Sequence, residues 1–309
     1  MDEVFEPREL VSEEALAALT RRSNAQSALR FALQMTILIG LGSVVVIADS
    51  VVFWLPGLIA LAAVIASTFA PFHECTHSTA FASRNLNTIV AWGAALPFGM
   101  SPTFYREFHF AHHRHTQDPD NDPELLAYPG LLVDWPNHLR HWLFVIGGWR
   151  LLRAKLMLMR NMWLRPEHAY NASPWARRDR LVRMKWETRA LSIVWLSLPI
   201  GAVAGVPGCT ALTAALLLSH LFQSVWVSSE HTGLTTEGSI LERTRTVLTP
   251  PLIRWFLWNM NFHAEHHGWP AVPWHRLEAL HAKVAPHVIT ERGYLRLHRG
   301  VWRRMGGAP

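Results

Sequence analysis

Long charge-free stretches alternate along this chain with polar segments in which histidine and arginine concentrate. Eighteen uncharged residues separate Arg30 from Asp49, and 23 more run from Ser50 to Phe72. A membrane crossing takes about 20 apolar residues, so these runs predict a helical hairpin turning near Asp49. Residues 190–229 form a second block of 40 uncharged positions, broken by Val206, Pro207 and Gly208. Forty helical residues would reach about 60 Å, two crossings of a hydrocarbon core ~30 Å thick. The pattern predicts an all-α integral membrane fold with four transmembrane helices in two hairpins, at about 31–71 and 190–228.

Two other apolar stretches read differently. Residues 85–105 are uncharged for 21 positions, but Gly93, Pro97, Gly99 and Pro102 interrupt any long helix, which predicts an interfacial or re-entrant segment. Residues 141–160 carry four basic side chains and suit a helix lying on the membrane surface. Trp135, Trp142, Trp149, Trp163 and Trp175 suit an interfacial belt or the core.

Charge orients the picture. The turns at 49–52 and 206–208 carry no Lys or Arg, so nearly all basic residues fall on the opposite face. The positive-inside rule then places both termini and the 73–188 segment in the cytosol, with a bacterial inner membrane the expected location. The first 30 residues mix charges and lack the short apolar core of a signal peptide. Half the residues are apolar and only 17% are charged, with a mean hydropathy of +0.10, which excludes a disordered chain and a small soluble domain. Two cysteines exclude a disulfide scaffold and any Cys₄ metal module. Cys75 and Cys209 would face opposite sides of the membrane and could not pair. The net charge of +6 comes from arginine-rich stretches at 150–189 and 292–304. No nucleic-acid fold signature accompanies them, so membrane lipid head groups or an acidic protein are the expected contacts.

Three histidine motifs carry the chemistry. His73 and His77 (HECTH) follow the second apolar run. His109, His112 and His113 (HFAHH) lie beyond the 85–105 segment, and His263, His266 and His267 (HAEHH) beyond the second hairpin. Residues three or four apart share a helix face. Adjacent histidines diverge by about 100°, so one can serve one metal and its neighbour another. Eight converging imidazoles exceed the four ligands of one zinc, and two metals are the natural count.

These motifs, with HHRHTQDPDNDPE and NMNFHAEHHGWPAVPWHRLEALH around them, resemble the membrane fatty acid desaturase family, over residues 31–290 or so. The resemblance implies a di-iron site held by a helical cytosolic cap. His73, His77, His109, His112, His113, His263, His266 and His267 are then ligands, and His231 the ninth. Some members carry an Asn one turn before that ninth ligand to hold a water on iron; here the residue is Val227. The resemblance also divides the chain into a cytosolic arm (1–30), one membrane-embedded catalytic domain (31–290) and a basic tail (291–309). It implies O2 and two electrons spent on unactivated C–H bonds of a lipidic substrate. Fatty acyl desaturation is the leading reading; hydroxylation or ketolation of a hydrocarbon, terpenoid or lipid is the alternative on the same scaffold. No cytochrome or flavin motif is fused, so an external donor such as ferredoxin or rubredoxin is implied.

Other residues allow rival readings. Glu74 completes HExxH, the zinc-peptidase signature, but a protease leaves the other six motif histidines unexplained. A metal transporter would need polar residues through its spans, and these spans have few. Glu74, Glu265, Asn259, Asn261 and His115 are candidates to orient imidazoles or are local structure. The DPDNDPE stretch fails as a calcium loop, with Pro123 where glycine is required and Pro129 where glutamate is; it reads as a rigid turn packed near the metal site or capping a helix. His220 either lines a substrate channel or bonds a neighbouring helix. His138, His141, His168, His275, His281, His287 and His298 read as solvated or interfacial.

Overall fold

A computed structural model describes residues 10–126 and 133–305; Pro129 and the chain ends at 1–9 and 306–309 lie outside the described residues. Helix α1 (Glu13–Leu19) is capped by Ser12, and α2 (Asn24–Ile47) by Ser23, whose hydroxyl accepts from Gln26 N. A short turn leads into α3 (Val51–Ser67) and α4 (Phe69–His77). Pro71 has no N–H to give and its ring crowds the carbonyl of Ser67, so the helical ladder lapses at Thr68 and resumes as α4. Next come α5 (Arg84–Phe98), α6 (Pro102–His115), α7 (Pro123–Leu126), α8 (Leu139–Ile146), α9 (Trp149–Leu164) and α10 (Pro166–Asn171). Helices α11 (Leu181–Val203) and α12 (Cys209–His231) form the second long pair. The chain closes with α13 (Ile240–Arg243), β1 (Arg245–Leu248), α14 (Pro251–Phe256), α15 (His263–Gly268), α16 (Leu277–Val284), β2 (Ile289–Arg292) and α17 (Tyr294–Met305).

Helix α3 packs against both α2 and α12, while α11 packs on α12 and α9. Among the described residues three helices are long and apolar enough to cross a membrane: Asn24–Ile47, Val51–His77 and Cys209–His231. The fourth expected crossing, α11, is also 23 residues long, but Arg183, Lys185, Glu187 and Arg189 occupy its first half. Its charged half is tied to the start of α6: the buried Glu187 carboxylate accepts from Ser101 Oγ (2.6 Å) and from Thr103 N and Oγ1 (2.9 Å each). Beyond it the apolar half is open to the surroundings, with Ile200 65% and Val203 92% exposed. Both long pairs overrun the charge-free stretches at the histidine end, since α4 ends on His77 and α12 on His231.

Several expectations change in detail. The fold is not purely helical: β1 and β2 pair in parallel, Arg245 opposite Ile289 and Leu248 opposite Arg292. Thr246, Val247, Ile289 and Thr290 are β-branched, and this favours extended backbone there. Residues 85–105 are broken as their glycines and prolines predict: they make α5 and the start of α6, parted at Gly99, whose φ of +76° brings its backbone against the Trp195 indole. The 141–160 stretch is two helices rather than one surface helix, and Arg150 and Lys155 on α9 are buried, because Lys155, Met159 and Met162 share an inward face. Gly148 is the pivot between α8 and α9: a side chain there would collide with the backbone of His220. The C-terminal segment is a helix seated on α12, with His298 Nε2 3.1 Å from Ser229 Oγ.

Candidate metal centre

Four elements deliver the predicted ligands to one place. His73 and His77 stand one turn apart on α4, His109, His112 and His113 on α6, His231 at the last residue of α12, and His263, His266 and His267 on α15. Ser101 and Pro102 start α6: the proline occupies the first helical position and Ser101 Oγ accepts from Phe104 N. Helix α15 is only six residues long, and the chain enters it through Trp258 and Asn259, both at positive φ. Arg245 holds the end of α12, donating to Ser229 O (2.7 Å) and to Thr232 O.

All nine histidines come together, and they divide into two groups. One comprises His73, His77, His109, His113 and His266; the other His112, His231, His263 and His267. Within each group one ligand nitrogen per residue lies within 4.8 Å of all the others. The neighbours on α6 part as helix geometry requires, His113 joining the first group and His112 the second. Except for His77, which is half-buried, all are buried.

The donor set fits a pair of cations. His77 Nε2 and His113 Nε2 stand 2.7 and 3.0 Å from His109 Nε2. In the second group His231 Nε2 is 3.2 Å from those of His112 and His263, and His267 Nε2 is 3.1 Å from that of His263. A neutral imidazole has one N–H, so such converging nitrogens cannot all satisfy one another and lone pairs must face each other. Two nitrogens bonded at right angles to one ion, at about 2.1 Å each, would stand ~3.0 Å apart, close to what is seen.

The outer ring nitrogens of His73, His109, His112, His231 and His267 have partners that aim the inner ones, whereas those of His113, His263 and His266 make no hydrogen bond among the described residues. His112 Nδ1 meets both Asp122 oxygens, at 3.0 and 3.2 Å, and Asp122 also accepts from Gln117 N and Glu124 N. Burial alone would lower the His112 pKa, but the carboxylates of Asp122 and Glu124 overcome it and raise it to about 9 in the metal-free chain. Burial, then the charge of neighbouring imidazoles, holds His109, His113, His263 and His267 well below the ordinary histidine value. The Tyr105 hydroxyl lies 3.3 Å from His73 Nδ1 and 3.4 Å from His109 Nδ1. Thr116 Oγ1 is 3.2 Å from His267 Nδ1, and His231 Nδ1 donates to the Arg243 carbonyl. Glu230 Oε1 stands 3.3 Å from His263 Nδ1. A proton kept at Nδ1 leaves the Nε2 lone pair directed into the cluster.

None of the residues expected to orient these rings does so. Glu74 accepts from Thr79 Oγ1 (3.0 Å) and Trp274 N (3.2 Å), tying α4 to the loop before α16. Glu265 bonds Thr246 and His281, so His281 is a half-buried partner and not a solvated residue. Asn259 donates to Trp274 O and Asn261 to Val247 O; both staple the turn that launches α15. His115 projects outward beside Asp118, 42% exposed, because it lies off the face shared by His109 and His112. The DPDNDPE turn does what its two prolines suggested, placing Asp122 against His112 and capping α7. Tyr105 was missed, although it is one turn before His109. His220 bonds its own Leu216 carbonyl and meets the edge of Trp195, and His298 is buried against α12. Cys75 and Cys209 are both free.

Beside the first group lies an apolar cavity of about 270 Å³, walled by Phe69, Phe98, Tyr105, Phe108, Trp175 and Val227 among others. Tyr105 is thus both a wall of the cavity and a partner of two cluster histidines. Val227 contributes only hydrocarbon at its position on α12.

Comparison with known proteins agrees with this geometry. The fatty acid desaturase family model matches residues 50–299. The chain is 26% identical over 211 residues to the sphingolipid delta(4)-desaturase/C4-monooxygenase DES2 of Rattus norvegicus, a match covering 65% of this chain and 56% of that protein. For the Mus musculus protein of the same name the identity is 26% over 220 residues, covering 69% and 60%. The chain therefore spans less than two thirds of the length of these relatives. Since the family match takes in well over half the chain and all nine histidines, the chain belongs to the fatty acid desaturase family.

Proposed function

We propose that this protein is an integral-membrane di-iron oxidoreductase that oxidises unactivated C–H bonds of a lipidic substrate with O2 and two electrons, fatty acyl desaturation being its reaction. The observation that carries the proposal is the division of nine histidines into groups of five and four, buried beside an apolar cavity. Imidazole suits iron, and two irons when bound would supply the redox chemistry that activates O2 for hydrogen abstraction. The protein's part is placement. His73, His77, His109, His113 and His266 would hold one iron and His112, His231, His263 and His267 the other. Asp122, Tyr105, Thr116 and the Arg243 carbonyl keep their partners' outer nitrogens engaged. Phe69, Phe98 and Phe108 exclude water and hold the chain's methylenes against Tyr105.

Loss of two hydrogens yields an alkene, whereas return of oxygen to carbon yields an alcohol; the choice rests on how the substrate carbon is placed. Monooxygenation is the second reading, favoured by relatives whose name carries both activities. The zinc-protease reading is disfavoured because Glu74, its required base, is turned to Thr79 and Trp274 N. In the membrane, α11 completes two hairpins with the three apolar helices, its charged half standing in the head-group layer. The basic segments then put both termini and the histidine centre on the cytosolic side of a bacterial inner membrane. Electrons come from an external carrier of the ferredoxin or rubredoxin kind.

The test is mass spectrometry of total lipids from cells expressing the wild type or His266→Ala with a ferredoxin system. A product lighter by two hydrogens and absent from the variant supports desaturation. A product gaining oxygen moves the reaction to hydroxylation. No change in any lipid, with iron bound and electrons delivered, refutes the acyl-lipid reading.

A further inference from the structure

Lys155 is a physical anomaly. Its side chain is 3% exposed, on the inward face of α9, and lines the apolar cavity beside Tyr105. Among the described residues no carboxylate pairs with it. Its Nζ donates to Phe98 O (2.8 Å) and approaches Gln223 Oε1 (3.4 Å), and it lies 3.7 Å from the Phe98 ring centroid. An oxygen ligand would favour the ammonium form, whose three N–H donors exceed the two protein acceptors by one. A buried cation without a counter-charge is costly, and burial pushes this amine well below the usual lysine range. A methionine would fill the same volume without that cost, so packing does not account for a lysine here. Arg150, also buried, lines the same cavity together with the Glu124 carboxylate, and the two offset each other's charge.

The amine is also near the chemistry. Phe98 stacks on Phe69 with centroids 5.1 Å apart, and Phe69 meets the His73 ring at 5.5 Å and Tyr105 at 5.6 Å. One polar donor therefore stands at one end of a short aromatic wall and the histidine centre at the other. We propose that the cavity binds the oxygen-bearing polar group of the lipid substrate, a carboxylate or a neutral carbonyl, through Lys155 with Gln223 behind it. The carbon presented to the histidine centre is then counted from the polar end of the molecule and not from its methyl end. This inference rests on the function proposed above, and names the feature of the substrate that the site reads.

The test is binding without turnover, on the full chain in lipid nanodiscs with its metal content recorded. Octanoate, octanamide and octylamine are the probes, short enough for a cavity near the lower end of ligand pockets, and empty nanodiscs correct for partitioning. The expected result is one site per chain that prefers octanoate or octanamide over octylamine by about tenfold or more. Lys155→Met should abolish the preference while metal content stays unchanged. The tighter of the two acceptors tells whether the group is anionic or neutral. Equal binding of all three probes by the wild type overturns the inference, and so does a preference that survives in Lys155→Met. The wild-type comparison needs no variant, so misfolding of Lys155→Met would not shelter the idea. Because no oxidation is read, a head-group preference together with unchanged lipids in cells would refute the proposed reaction and not this site.

Discussion

Replacing Asp122 by asparagine should change how many protons the metal centre gives up when it loads. Asparagine keeps the size and one accepting oxygen, enough for His112 and Glu124 N, and loses the charge together with the oxygen that accepts from Gln117 N. In the metal-free chain that charge, with Glu124's, holds His112 near pKa 9 against burial, which pulls the other way. At pH 7 a metal must therefore displace a proton held about two pH units above ambient, costing about 3 kcal/mol. In the wild type, affinity at the second site should rise about tenfold per pH unit from pH ~6.5 to ~9. In Asp122→Asn only Glu124 still opposes burial; the ring should then be neutral at pH 7 and this slope should disappear. The same shift acts on the metal-free fold. A pKa raised above the unfolded value of 6.5 stabilises the fold fully below pH 6.5, and that contribution is lost as pH rises through about 9. It amounts to an upper limit of about 3 kcal/mol, which the variant forgoes. Anaerobic Fe(II) titration calorimetry at pH 7.5, in two buffers of different ionisation heat, counts the protons directly. The wild type should release about one more per chain than Asp122→Asn. Equal counts would refute the reasoning, and so would metal-free melting curves whose difference between the two proteins does not shrink from pH 6 to pH 9.5.

Three further outcomes follow from named contacts. Tyr105→Phe removes the hydroxyl shared by His73 and His109 and should lower product formation about tenfold while iron content stays within error; loss of iron instead would make Tyr105 part of the holding structure. Glu187→Ala strands three buried donors at the start of α6 and should cost about 2–4 kcal/mol in denaturant unfolding, with Glu187→Gln losing less. Arg245→Ala frees the carbonyls that end α12 beside His231; we expect a lower melting temperature, by roughly 1–3 kcal/mol of stability, and faster loss of metal to a chelator. An unchanged chelation rate would show that the end of α12 is held by other contacts.

Much of this protein is written locally. Charge-free runs and their proline or glycine breaks mark where long helices lie, because burying charge in hydrocarbon is costly whatever the partner. Spacings of three and four, with adjacent histidines diverging, predict two groups of converging imidazoles from helix geometry alone. The tertiary structure decided what no local pattern carries. Which rings share an ion depends on four elements distant in sequence meeting at one point, so His113 falls with His77 and His112 with His231. The supporting partners of those rings were misjudged for the same reason. Glu74 and Glu265 adjoin ligands in sequence, but a helix turns neighbours about 100° apart, and their carboxylates serve Trp274 and His281 instead. Tyr105 and Asp122 reach the rings because one stands a helical turn before a ligand and the other is brought back by a turn. The burial of Lys155 belongs wholly to the fold. Alone, the 141–160 stretch is an amphipathic helix with its charges out; only packing on Phe98 and Gln223 turns one of those charges inward, beside the cavity.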